Sequence, residues 1–142
     1  MALTELRGKP QRSNITSAEI ELEDYLTKGF PIYVAEDAQS GIVGYMVCRI
    51  DEDIVWVESI YVKEENRRKG IASKLYSEAE RIAKEIGGSA PYNWIDPTNE
   101  AIIHFLRKRG YDVLNLLELR RREPNERLIY KISVGKHEYF RT

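Results

Sequence analysis

The chain has one cysteine among its 142 residues, Cys48, so no intrachain disulfide can form. Its neighbours Met46, Val47 and Ile50 mark it as a buried apolar thiol in a reducing compartment. Only His104 and His137 could join it as soft ligands, so no metal site is expected. Nowhere does an apolar run approach the ~20 residues that cross a bilayer. The opening MALTELRGKPQR has no apolar stretch like that of a signal peptide, and a cytoplasmic location is expected. Charge of one sign is missing too. Lys and Arg number 22 against 23 Asp and Glu, a net charge of −1 that removes any global field for nucleic acid or an anionic membrane surface. There is no internal repeat and no low-complexity tract. What remains is 42% hydrophobic residue in a length that suits one domain over residues 1–142, with one core.

Residues 1–14 give weak signals, with a short strand around Leu3 to Arg7. A helix is predicted from Ser17 to Lys28, opened by the capping-box pattern Thr16-Ser17-Ala18-Glu19 and closed at Gly29. Ile32 to Glu36, Gly41 to Ile50 and Asp53 to Val62 read as an antiparallel meander of three strands. A helix from Gly70 to Ile86 follows, with Ile71, Ala72, Leu75, Ala79, Ile82, Ala83 and Ile86 at helical spacing. After it come a short strand at Tyr92 to Ile95, a helix from Pro97-Thr98-Asn99 to Lys108 stopped by Gly110, and a strand from Tyr111 to Arg121. In the tail, residues 126–142, the alternating LIYKISV suits an edge strand. The order predicts an α/β (α+β) fold with a mixed, largely antiparallel central sheet flanked by helices.

The segment VKEENRRKGIA, Val62 to Ala72, carries the strongest local signal. It joins an apolar strand to an amphipathic helix whose first N–H groups have no Ser, Thr, Asp or Asn immediately before them to accept a hydrogen bond. Gly70 lets an anion approach the backbone, Ala72 adds almost no bulk, and Arg67, Arg68 and Lys69 add positive charge to the helix terminus. A phosphate fits there. In the preceding strand, Ile54, Trp56, Ile60 and Val62 are expected to point one way and Val55, Val57 and Tyr61 the other, with Glu58 among the first set. A carboxylate there must be paired, wetted by a cleft, or raised in pKa by desolvation. Two roles stay open for it: general base, or structural partner of an Arg or of backbone N–H groups on a neighbouring strand.

Together these pieces resemble the GNAT superfamily of N-acetyltransferases, which bind acetyl-coenzyme A. Two stretches in the right order carry the likeness. Arg67-Arg68-Lys69-Gly70-Ile71-Ala72, five residues after Val62, is similar to the family's Arg/Gln-x-x-Gly-x-Gly/Ala pyrophosphate loop. DPTNEAIIHFLRKRGYDVL, Asp96 to Leu114, resembles its Asn-rich helix start and its Lys-x-Gly-Phe/Tyr end at Lys108, Gly110 and Tyr111. The resemblance implies a sheet splayed between the fourth and fifth strands. It places the pyrophosphate on the backbone N–H groups of Arg68 to Ser73, through Lys69, Gly70, Ile71 and Ala72, and the pantetheine arm along Ile60, Tyr61 and Val62, with Asn99 and Phe105 on its other side.

The implied reaction moves the acetyl group of acetyl-CoA, the cosubstrate, to a primary amine. By the same resemblance Glu58 matches a position where some family members carry a base, and a main-chain N–H near Tyr61 or Val62 stabilises the oxyanion. The family's usual Tyr, seven residues after the Asn, is Leu106 here, and Tyr61, Tyr76 and Tyr92 are substitutes to weigh. The acceptor stays open among a small-molecule amine, a polyamine and a protein N-terminus or lysine. Glu19, Glu21, Glu23 and Asp24 either attract a cationic amine or form a solvated helix face. A non-catalytic acyl-CoA-binding or regulatory module is the alternative that Leu106 favours; a nucleic-acid module using Arg67, Arg68, Lys69 and Arg120 to Arg122 is opposed by the net charge. The tail's alternation suggests a homodimer.

Overall fold

The computed structural model describes residues 2–6 and 17–142. They fall into two compact units, one ending at Trp94 and the other beginning at Ile95. The first holds β1 (Ala2–Leu6), α1 (Ser17–Thr27), β2 (Ile32–Asp37), β3 (Gly41–Asp51), β4 (Ile54–Val62), α2 (Ile71–Glu85) and β5 (Tyr92–Asn93). The strands form one sheet in the order β1-β2-β3-β4-β5, antiparallel except for the parallel β4–β5 pair. The meander, both of its turns and the following helix thus stand where the sequence puts them. Arg7 and Thr16 of the predicted first strand and capping box lie outside the described residues, as do the side chains of Ser17 to Glu19.

A register shift between β3 and β4 sets the faces of the sheet. On β4, Val57 pairs with Cys48 and Ser59 with Val47, so Glu58 is the extra residue of a β-bulge. The bulge shifts the alternation by one. Ile60 and Val62 therefore share a face with Val55 and Val57, while Tyr61 joins Trp56 and Ile54, which corrects the strict period of two expected for this strand. The first face, with Met46 and Cys48, packs beneath Ile71, Leu75, Tyr76, Ala79, Ile82 and Ala83 of α2. The opposite face gathers Ile32, Val34, Tyr45 and Val47 with Leu22 of α1, edged by Tyr25, Leu26, Phe30, Ile42 and Tyr61. Cys48 is buried as expected, and desolvation pushes its thiol up to about 12.

α2 comes close to the sheet at Gly44. A Cβ there would lie 2.9 Å from the carbonyl oxygen of Tyr61 and 3.3 Å from Ile71 Cγ2. The register β3 keeps with β4 depends on that missing methyl.

The second unit contains α3 (Glu100–Lys108) and a hairpin of β6 (Tyr130–Val134) and β7 (His137–Arg141). Asn99 caps α3, its side chain accepting from the Ile102 N–H at 3.3 Å, and Gly110, at φ 92°, ends it. Just before, Asp96 accepts from the Thr98 hydroxyl at 2.7 Å and the Thr98 N–H at 2.9 Å, and Arg141 donates to its other oxygen. Residues 111–129 form no strand, so the strand expected from Tyr111 to Arg121 is not formed. Its pattern is apolar on both alternating sides, and a strand of that kind needs cover on both faces as well as a pairing partner, which no strand among the described residues gives it. LIYKISV does contribute a strand, with one edge taken by a β7 that the sequence reading did not foresee.

Two stability tests follow. Gly44→Ala should cost about 1–3 kcal/mol and lower Tm by roughly 3–10 °C in a thermal melt, because the obstructing atom is backbone; an unchanged Tm would show that the strands slide freely here. Asp96 titrates at about 2, held down first by the Thr98 hydroxyl, then by the Thr98 N–H and the Arg141 guanidinium. Its carboxylate therefore stabilises the folded unit fully above the ordinary Asp value near ~3.9, and that stabilisation disappears as pH falls towards 2. Amide exchange protection in α3 should decline across that interval, and Asp96→Asn should flatten the decline.

Candidate active site

Three features of the first unit converge at the C-terminal end of β4. The first is an open strand edge. β5 pairs with β4 only at Trp56 and Val57, so the ladder stops there and the sheet splays from Glu58 onward. The Lys63 N–H donates to the Val43 oxygen at 2.8 Å on the β3 side. Hydrogen-bonding direction alternates along a strand, so the N–H and C=O of Ile60 and Val62 point to the opposite side, beyond the end of β5. There the Val62 carbonyl accepts from Arg67 Nε at 2.9 Å.

The second feature is the start of α2. A short 3-10 turn, Glu64–Asn66, leads into Arg67 in an extended conformation, Arg68 at φ 62° and Gly70 at φ 80°. Arg68 in the left-handed region costs about 1–2 kcal/mol, a strain the turn imposes. Lys74 makes the first bond of the helix, its N–H donating to the Gly70 oxygen at 3.1 Å. The N–H groups of Ile71, Ala72 and Ser73 precede it and have no acceptor within the helix, and Gly70 supplies no side-chain cap. A Cβ at Gly70 would meet nothing within 4 Å, so the approach to these donors is open. Arg67, Arg68 and Lys69 are exposed around it. These donors, the helix dipole and the cations fit a pyrophosphate.

The third feature is a polar cluster on the α1 face. The bulge turns Glu58 beside Arg49 of β3, whose Nε donates to Glu58 Oε1 at 2.5 Å. Arg49 also contacts Asp51 at 3.5 Å and lies over the rings of Trp56 and Trp94, 5.2 and 5.7 Å from their centroids. Those two rings meet edge-on, and Tyr92 meets Trp56 in the same way. Glu21 of α1 accepts from Tyr45 Oη at 2.8 Å and Ser59 Oγ at 3.1 Å, tying the helix to β3 and β4. Burial, with the Glu21 hydrogen bond second, holds the Tyr45 phenol well above its ordinary range.

Of the residues singled out from sequence, Glu58, Ile60, Tyr61, Val62 and Arg67 to Ser73 thus meet at one end of β4. Asn99 and Phe105 belong to the second unit, where Asn99 caps α3 and Arg109 lies over the Phe105 ring at 5.7 Å. Leu106 is core there, only 3% exposed. Among the substitute hydroxyls, Tyr76 is buried with its Oη donating to Asn93 of β5, Tyr61 packs on Tyr45, and Tyr92 is half exposed. The sequence reading missed Arg49, whose signal was a lone cation closing an apolar strand. It also read Glu21 only as part of an acidic run; its spacing in α1, one residue before the buried Leu22, could have turned it to the sheet. Among the described residues no group of three or more His, Cys, Asp or Glu is placed to hold a metal, and no helix is long and apolar enough to cross a membrane.

Solved structures share this architecture. The aminoglycoside N-acetyltransferase AAC(6')-Iy in complex with CoA superposes with a TM-score of 0.63 at 16% identity, over 86% of this chain and 99% of that one. The apo aminoglycoside 6'-N-acetyltransferase AAC(6')-IG from Acinetobacter haemolyticus gives 0.64 at 15%, over 88% and 100%. A putative acetyl transferase from Pyrococcus furiosus gives 0.59 at 24%, over 78% and 83%. At these identities the likeness establishes the fold. A family model matches residues 2–111, from β1 past α3, and by that match the chain belongs to the Acetyltransferase (GNAT) family.

Proposed function

We propose that the protein is an acetyl-CoA-dependent N-acetyltransferase, working as one domain over residues 1–142, with its cosubstrate held along the open edge of β4 and the start of α2. The carrying observation is the juxtaposition of three acceptor-less N–H groups at Ile71 to Ser73 with the outward backbone of Ile60 and Val62. The first suits a diphosphate and the second an amide-bearing arm that pairs like a strand. Asn99 and Phe105 keep, in this reading, the cofactor-binding role the resemblance assigns them.

Transfer requires a neutral amine to attack the thioester carbonyl, so the acceptor ammonium must lose a proton. Glu58 is the group assigned to take it, directly or through water. Its bond to Arg49 is the structural partnership that the sequence also allowed; it fixes the carboxylate at the bulge and leaves Oε2 for an acceptor. The outward N–H of Val62 or Ile60 is the oxyanion donor that the strand geometry offers. With Leu106 in the core and Tyr76 engaged by Asn93, the leaving thiolate takes its proton from water. A thiol of ordinary pKa near ~8.5 tolerates that at neutral pH.

The acceptor is an amine, flanked on the α1 face by Glu21, Glu58 and the Trp56–Trp94 wall. Two of the similar structures are aminoglycoside N-acetyltransferases, which makes an amino sugar a first acceptor to try beside polyamines and peptide N-termini. A cytoplasmic location and the absence of nucleic-acid and membrane partners complete the reading, with the balanced charge as support. It also includes a homodimer, supported by the strand edge that β6 keeps free. The buried Leu106 favours a second reading, a non-catalytic acyl-CoA-binding or regulatory module.

Coenzyme A release should be measured with acetyl-CoA against an amine panel, alongside calorimetric binding. Glu58→Gln should lower kcat by about 100-fold or more with coenzyme A affinity held within about twofold. Ala72→Glu, which sets a carboxylate among the free N–H groups, should weaken coenzyme A binding by at least about tenfold. Binding without release for every amine would select the second reading, and no binding at all would sink both.

A further inference from the structure

Three aromatic rings form one row on the α1 face of the first unit. Trp56 stands directly opposite Arg49 of β3 and Tyr92 of β5, and opposite residues of a sheet share a face. Trp94, two residues beyond Tyr92, keeps to that face. Each ring holds the next edge-on: Tyr92 meets Trp56 at 5.3 Å and 81°, and Trp56 meets Trp94 at 5.4 Å and 62°. Yet the outer two rings lie in water, Trp94 68% exposed and Tyr92 43%. Single exposed apolar side chains are ordinary, but a run of interlocked rings is not. Rings fixed in this way lose almost no freedom when a further group stacks on them.

The charges beside the row say what that group is attached to. The Arg49 guanidinium lies over both indoles, bonds Glu58 through Oε1 and has Asp51 at 3.5 Å. One cation between two carboxylates leaves net negative charge at the inner end of the row, and Glu58 keeps Oε2 for a ligand. Glu21, the next carboxylate on this face, is engaged by Tyr45 Oη and Ser59 Oγ. A single ammonium is therefore matched here, whereas a chain of several would run onto Arg49 and the rings. One guanidinium reaches from the carboxylate to both indoles, so an ammonium at Glu58 and a ring on Trp94 need only a short arm between them. Arg49, itself partly in water, shows that a flat group settles on these indoles.

We propose that the acceptor is an arylalkylamine, a primary ammonium on a short alkyl arm, with its nitrogen at Glu58 and its aromatic ring stacked on Trp94. The inference rests on the N-acetyltransferase reading of this site and names its substrate class. The ammonium gives one proton to Glu58. The nitrogen then bonds the acetyl carbon as the carbon–sulfur bond breaks, its second proton leaves to water, and the thiolate takes one from water. The product is a neutral amide that no longer answers the Glu58 charge, which favours its release.

Trp56 and Trp94 are the only tryptophans of the chain, so tryptophan fluorescence reads this row alone. With coenzyme A bound, phenethylamine should give a saturable change with a Kd about 3–10-fold below those of butylamine, spermidine and glucosamine. Phenylpropionate, the same ring on an anionic arm, should give none. In turnover with acetyl-CoA the same preference should appear in KM. Trp94→Ala should abolish it, bringing KM for phenethylamine to that of butylamine, and Trp94→Phe should restore it, a recovery that a merely structural Trp94 would not show. Turnover of other amines with no preference for the ring, or a preference that survives Trp94→Ala, would overturn the arylalkylamine and leave the transferase standing. No coenzyme A release from any amine would overturn the transferase reading and the acceptor with it.

Discussion

Everything in the first unit follows from β4 being longer than its neighbour. β5 satisfies it at Trp56 and Val57 and then ends, so the remaining residues present hydrogen-bonding groups on a side where the sheet offers none. A backbone polar group kept from water without a partner is costly, and structures resolve the difficulty by covering the edge, wetting it or giving it to a ligand. Here Arg67 covers one group, the Val62 carbonyl. The rest are left at the point where the chain turns back over the sheet to begin α2. Strand edge and helix start are therefore one feature, produced by the short crossover between Val62 and Ile71.

The bulge at Glu58 decides what chemistry meets that edge. Without it, Glu58 would share the face of Trp56, but Ile60 and Val62 would lie on that face too and Tyr61 would turn under α2. The extra residue keeps Val57, Ile60 and Val62 beneath α2 and leaves a carboxylate on the α1 side, next to Arg49. One inserted residue thus separates an apolar support from a polar working face along a single strand. Arg49 is held in turn by the two tryptophans, so the position of Glu58 depends on aromatic packing as much as on charge.

Legibility in the sequence tracked the range of the interactions involved. The helices were readable because caps and period are local: Gly29, Gly87 and Gly110 stop them, and the apolar stripe of α2 runs from Ile71 to Ile86. The donor-rich turn was readable for the same reason, since it depends on which side chains are missing beside Gly70. The bulge was not, because alternation along β4 looks regular from Asp53 to Val62 and only the register with β3 reveals the extra residue. Arg49 was missed because its role needs Glu58 and Trp56 of β4 and Trp94 beyond β5 brought beside it from two other places in the chain. The segment after Gly110 is the instructive failure. Its residues carry the apolar content of a strand, but a strand is a relation between two stretches of backbone, and the sequence names only one of them.

That distinction bears on what holds the second unit together. α3 is secured by local devices, the Asn99 cap and the Asp96–Thr98 turn, with Arg141 of β7 reaching back to Asp96. The hairpin is secured by its own ladder. Between them runs a stretch with strong strand propensity, held at its near end by the Tyr111 N–H on the Leu106 oxygen at 2.9 Å and at its far end by Arg120 and Glu126. Propensity and apolar content of this degree, left in water, cost stability and invite association, whereas a polar linker would serve as well for mere connection.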